Sequence, residues 1–160
     1  NEFSNFARMP LPILKKINLI NLIKKTTEFI KLGSQNIINL KFKDDEIFIN
    51  GDEDQLNRVF INLIKNSEEA CSELSKKDPN FKGNIDIEIA DNKDYIVFRL
   101  TDNGPGIKDA KKAMTPYYTT KKTGTGLGLP IVNKIINEHS GEFVIKKDKG
   151  TKIEIWLPSI

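Results

Sequence analysis

Three glycines alternate at Gly124, Gly126 and Gly128 in the stretch TKKTGTGLGLPIVNKII, and a helical apolar pattern follows at once. Glycine-rich turns that open helices can hold phosphate, because free backbone N–H groups and the positive end of the helix dipole converge on the anion. Thr119, Thr120, Lys121, Lys122, Thr123 and Thr125 add hydroxyl donors and cations beside that turn. The spacing is G-x-G-x-G with leucine at position 129, so this is not the dinucleotide fingerprint G-x-G-x-x-G. No glycine-lysine-serine/threonine triplet occurs, which removes the Walker loop as well. Taken alone, the stretch fits a polyphosphate cradle or a flexible hinge before a helix.

Two other stretches carry polar groups in suggestive places. TDNGPGI, residues 101–107, puts Asp102 at the end of a predicted strand. It reads as an Asp-Asn-Gly turn. It also reads as a carboxylate that accepts a hydrogen bond from a base amine, with Gly104 and Gly106 allowing close approach. Further upstream, Gln55, Arg58, Asn62, Asn66 and Glu69 are spaced by 3, 4, 4 and 3, a polar stripe on one side of a helix. Asparagine competes for backbone bonds in mid-helix, so two of them one turn apart need an occupation. Their amide oxygens suit a magnesium ion that also holds phosphate and water. A solvated helix face is the alternative for any one of them.

The elements that must position these groups follow from periodicity. Residues 2–9 can form a helical turn or two that the prolines at 10 and 12 end. Asn18 caps a helix over 19–32 with Gly33 as its stop. Ile38, Leu40 and Phe42 alternate with polar residues as a half-buried strand, and 46–50 give a second, shorter one. Asp52 caps a long helix over 53–74, and 75–83 form a polar loop. Strands at 85–89 and 95–101 precede the turn DNGPGI, a segment without clear period spans 107–124, and a helix follows over 126–139. Residues 142–147 and 151–157 close the chain as a hairpin. The order lacks regular β-α-β alternation, so the predicted fold is α+β: one antiparallel-leaning sheet covered by helices on one side, a two-layer sandwich.

Composition narrows the class. At 160 residues, with 38% hydrophobic and 29% charged residues, the chain suits one well-buried domain. No apolar run approaches the ~20 residues of a membrane span, and the start has no signal-peptide layout. The chain begins without Met and reads as a piece of something longer. The formal charge of +3 comes from scattered lysines interleaved with acids, which gives no support to a nucleic-acid groove. The lone cysteine, Cys71, rules out an internal disulfide and falls at an apolar helical position, as a core residue.

NLIKNSEEA (62–70), DNGPGI (102–107), PYYTTK (116–121) and GTGLGLPIV (124–132) resemble the N, G1, F and G2 boxes of sensor histidine kinases, in that order. The ending GEFVIKKDKGTKIEIWLP resembles that family's terminal hairpin, and EFSNFARMPLP is similar to the segment leaving the dimerisation helices in NtrY-type nitrogen-regulation sensors. The resemblance runs from about residue 3 to 158. It implies residues 1–14 as the tail of a dimerisation helix with its linker, and 15–160 as a catalytic ATP-binding domain of the Bergerat (GHKL) sandwich type. It implies ATP and Mg2+ as cofactors. Asp102 would bind the adenine amine, with Gly104, Gly106 and Ile107 shaping the pocket. Asn66 with Asn62 would hold magnesium, with Glu69 beside them. Thr119, Thr120, Lys121, Thr125, Gly126, Leu127, Gly128 and Leu129 would line the triphosphate, under a lid formed by 107–125. Arg58 is a further phosphate candidate. Tyr117 and Tyr118 stand where the family usually has phenylalanines.

Bergerat-fold hydrolases place a glutamate one helical turn before the metal-binding asparagine to activate water. That position here is Asn62, and an amide cannot take a proton. Transfer to an imidazole needs no base in this domain, because neutral histidine is already a nucleophile. The acceptor motif on a dimerisation helix is missing, and His139, the one histidine, reads as the C-terminal residue of the last helix, placed at its dipole. The resemblance therefore implies transfer of the γ-phosphoryl to a histidine upstream of this chain, for relay to a response regulator receiver domain, with no nucleic-acid partner. It implies a cytoplasmic domain of a membrane-anchored bacterial sensor. The alternative is a nucleotide-sensing module of the same fold without phosphotransfer.

Overall fold

The computed structural model describes residues 9–106 and 128–160. The expected helix at 2–9, all but its last residue, therefore lies outside the described residues, as do Ile107, Thr119, Thr120, Lys121, Thr125, Gly126 and Leu127.

The described elements are β1 (Lys15–Asn18), α1 (Leu19–Lys31), β2 (Ile37–Phe42), β3 (Phe48–Gly51), α2 (Glu53–Lys77), β4 (Asn84–Asp91), β5 (Tyr95–Asp102), α3 (Gly128–Glu138), β6 (Glu142–Asp148) and β7 (Gly150–Pro158). Five strands form the main sheet in the order β2-β4-β5-β7-β6, and β1 pairs with β3 in a separate two-stranded ribbon. Helices cover one face. The sheet is mixed: β4-β5, β5-β7 and β7-β6 are antiparallel, whereas β2 and β4 run parallel. A parallel pair needs a long crossover, and the chain between β2 and β4 supplies one in α2.

Alternation along the strands explains the core. Ile85, Ile87 and Ile89 of β4, Ile96, Phe98 and Leu100 of β5, and Ile153, Ile155 and Leu157 of β7 are buried against Leu56, Val59, Phe60, Leu63 and Ile64 of α2. Ile131, Val132, Ile135 and Ile136 of α3 join the same cluster. Phe60 and Phe98 meet at 4.8 Å between ring centroids, joining α2 to the central strand. The opposite face of the sheet carries Arg99, which donates to Glu154 from Nε at 3.1 Å and from Nη2 at 3.0 Å.

Three elements depart from the sequence expectation. The strand β1 was not expected; its residues KKIN carry too much charge for the alternation to show, and its pairing with β3 supplies what local pattern does not. Helix α2 runs three residues past 74, because the apolar pattern fades before the backbone bonds do, and Asp78 N–H still donates to Leu74 O at 2.9 Å. The second short strand lies at Phe48–Gly51, shifted towards Asp52.

Both predicted N-caps form. Asn18 accepts from Asn21 N–H, and Asp52 Oδ1 accepts from Gln55 N–H at 3.2 Å. Asp52 also gathers distant chain. Its Oδ2 accepts the Ile13 N–H at 2.9 Å, while Gln55 Nε2 donates to Pro10 O at 2.9 Å. The segment before β1 is thus pinned to the start of α2 with Leu11 and Ile13 exposed.

Candidate functional site

Asp102 is the last residue of β5 and only 5% exposed. A buried carboxylate must be hydrogen-bonded, and this one is held at both oxygens. Oδ1 accepts the Gly104 N–H at 3.0 Å and the Thr151 N–H at 3.2 Å, and Oδ2 accepts the Ser67 hydroxyl at 2.7 Å. The two backbone donors come from its own turn and from the neighbouring strand β7. The approach of β7 depends on Gly150: a Cβ there would stand 2.1 Å from Asp102 O and 3.0 Å from Asp102 Oδ1. Gly106, at φ +81°, lies against the same turn, and its Cβ position is 3.0 Å from Gly150 O.

Helix α2 brings the asparagines to this end of the sheet. Asn66 Nδ2 donates to Asn62 Oδ1 at 3.1 Å, so the two amides, one turn apart, form a linked pair. Both are partly exposed on the stripe that the spacing predicts, and Arg58 and Glu69 lie exposed on either side of them along the helix. The N-terminus of α3 opens next to the pair. A Cβ on Gly128 would lie 2.9 Å from Asn62 Oδ1, and Leu129 follows it, half-buried. A carboxylate acceptor, two amides and the N-terminus of an 11-residue helix thus converge between α2, α3 and the ends of β5 and β7.

The structure adds residues that spacing did not single out. Ser67 is 4% exposed and follows Asn66, so it turns to the sheet where Asn66 faces outward. Thr151 and Gly150 reach Asp102 from 49 and 48 residues away. Cys71, one turn after Ser67, is buried as expected, with Sγ 3.7 Å from Asn103 Oδ1. Burial, and then the nearby Asp102 charge, push its thiol up to about 11. A cleft of about 380 Å3 elsewhere, between α1 and α2, is lined by Leu22, Phe29, Asn57 and Ile61 among others, and none of the described site residues borders it.

His139 directly follows the last residue of α3, at the helix C-terminus, and it does more than face the dipole. Nδ1 lies 2.8 Å from Ile135 O and Nε2 3.0 Å from Asp52 N. A backbone N–H can only donate, so Nε2 is the acceptor and the proton sits on Nδ1.

Residues 51–160 match the family model described as histidine kinase-, DNA gyrase B-, and HSP90-like ATPase. The chain belongs to this family. Within it, the chain is 36% identical over 158 residues to sporulation kinase C of Bacillus subtilis (strain 168), covering 93% of this chain and 35% of that protein. It is 37% identical over 160 residues to a putative sensor histidine kinase NtrY-like of Rickettsia typhi (strain Wilmington), covering 97% of this chain and 26% of that protein. The fold matches the nucleotide-free catalytic domain of histidine kinase ThkA with a TM-score of 0.79 at 25% identity, over 92% of this chain and 96% of that one. The chain is therefore an ATP-binding domain of the histidine kinase-like family, similar in sequence to sensor histidine kinases and in fold to a histidine kinase catalytic domain, as the four boxes implied. It spans about a third or less of the length of these curated relatives. Among the described residues, no helix is long and apolar enough to cross a membrane.

Proposed function

We propose that the chain binds Mg-ATP between α2, α3 and the β5 turn, and that it transfers the γ-phosphoryl to a histidine on a dimerisation domain, for relay to a response regulator. The observation that carries this reading is the buried Asp102 carboxylate. Every partner it has among the described residues is a donor, so it is fitted to accept one more N–H, the exocyclic amine of adenine, and to repel the carbonyl oxygen that guanine presents there.

At the other end of the nucleotide, Asn66 turns its amide nitrogen to Asn62, which directs its oxygen elsewhere. Asn66 is the better magnesium ligand, and Asn62 orients it. The bound ion would supply charge neutralisation for the phosphates. The start of α3 would offer its first backbone N–H groups and the positive end of its dipole to the phosphates in this reading. The basic and hydroxyl residues Thr119, Thr120, Lys121 and Thr125 complete the triphosphate site in this reading, with Arg58 as an additional cation. In this reading residues 1–14 are the tail of the dimerisation helix and its linker.

Asn62 favours transfer over hydrolysis. An amide cannot deprotonate water, whereas a histidine acceptor brings its own nucleophile. Incubating the chain with Mg-ATP and the dimerisation domain of a similar sensor kinase tests the reading. Acid-labile phosphate on the acceptor histidine is the expected product. Saturable ATP binding without any transfer would favour the nucleotide-sensing module instead.

A further inference from the structure

We infer that Ser67 is a positioning residue for nucleobase recognition: its hydroxyl locks the Asp102 carboxylate in the orientation that accepts the adenine amine. The inference rests on the adenine reading of Asp102 given above.

The geometry supplies the reason. Both backbone donors to Asp102, the Gly104 and Thr151 N–H groups, converge on one oxygen, Oδ1. Two bonds on one atom leave the carboxylate free to pivot about it, and the χ2 torsion of aspartate is broad. The Ser67 hydroxyl, 2.7 Å from Oδ2, is the bond that stops that pivot. It is short, charge-assisted and buried, since Ser67 is 4% and Asp102 5% exposed. One hydroxyl uses one lone-pair direction of Oδ2 and leaves another for an incoming N–H. An alanine at this position would keep the helix and most of the packing but release the pivot.

Placement on α2 gives the bond a second consequence. Ser67 is the neighbour of Asn66, so one turn of one helix carries both the group that aims the base acceptor and the amide assigned to the magnesium end. A helix is stiff over one turn, and the two ends of the nucleotide are thus held in fixed relation.

The test is calorimetric titration of the unmodified chain and Ser67→Ala, each with Mg-ADP and with purine riboside 5′-diphosphate, which lacks the 6-amino group. The unmodified chain is expected to prefer ADP. Ser67→Ala is expected to lose roughly tenfold in affinity for ADP, as one charge-assisted bond implies, and to hold the analogue within about twofold of the unmodified chain. An equal loss on both ligands would make Ser67 a structural residue and overturn the inference alone, as would unchanged ADP affinity. Failure of the unmodified chain to discriminate between the ligands would overturn the adenine reading of Asp102, and this inference with it.

Discussion

The imidazole of His139 accepts the backbone N–H of Asp52 at 3.0 Å and so ties the end of α3 to the N-cap of α2. The same aspartate holds the Ile13 N–H through its carboxylate. Three segments distant in sequence thereby meet at one residue: the entering chain, the helix that carries Asn62, Asn66 and Ser67, and the helix whose start adjoins Asn62.

Removing the imidazole should loosen this junction. His139→Ala removes both imidazole bonds; the Ile135 carbonyl keeps the backbone N–H of residue 139 at 3.1 Å, but the Asp52 N–H loses its acceptor in a part-buried place, which costs about 1–3 kcal/mol. Urea unfolding monitored by circular dichroism should show the midpoint fall with an unchanged slope. A variant as stable as the parent would mean that water replaces both bonds.

The metal assignment makes a sharper prediction. Asn66→Ala should remove most of the dependence of ATP affinity on magnesium, while affinity measured in excess chelator changes little. Titrations at a series of free magnesium concentrations would read this directly. An unaltered magnesium dependence would refute Asn66 as a ligand.

Acid should weaken the sheet through Glu154. Burial alone would raise its carboxyl, but the Arg99 hydrogen bond and charge, with Lys146 and Lys152 adding to them, outweigh burial and hold it below the ordinary 4.5. A carboxyl lowered in the folded state stabilises the fold above its unfolded value, and that stability is lost as pH falls through the folded value. Glu154→Gln should therefore be less stable near neutrality and show a flatter decline below about pH 4.5. Parallel pH–stability curves for the two proteins would contradict the assignment.

Cys71 should be inert in the native state, because its thiol is fully buried and titrates near 11. A thiol reagent at pH 8 should modify it only at the rate of opening, and fully in denaturant. Fast native labelling would mean that the floor beneath Asp102 and Asn103 opens far more often than its burial implies.

What could be read from the sequence depended on how local the cause was. The caps at Asn18 and Asp52, the stripe on α2 and the alternation of β4 and β5 all arise from neighbours within a few residues, and they formed close to the predicted places. The strand β1 and the parallel pairing of β2 with β4 arise from partners 30 or more residues away, and no short-range pattern announces them. The site divides in the same way. Asp102, Asn62 and Asn66 could be picked out by residue type and spacing, and through the ordered boxes. Ser67, Gly150 and Thr151 take their roles from hydrogen bonds and close contacts across 35 to 49 residues, which only the folded chain brings together. For Ser67 there was one usable signal, its helical phase: the residue after Asn66 must turn inward, towards the strand that ends in Asp102.

The proposed site takes Mg-ATP through Asp102 and has Asn62 where a hydrolase needs a base. Calorimetric titration of the chain and of Asp102→Asn with Mg-ATP, with released phosphate followed in parallel, tests it most directly. Saturable binding and negligible phosphate release are expected for the chain, with loss of at least about a hundredfold in affinity for the folded variant, whose amide nitrogen meets the adenine amine donor to donor. Equal binding by both proteins, or brisk phosphate release by the unmodified chain, would contradict it.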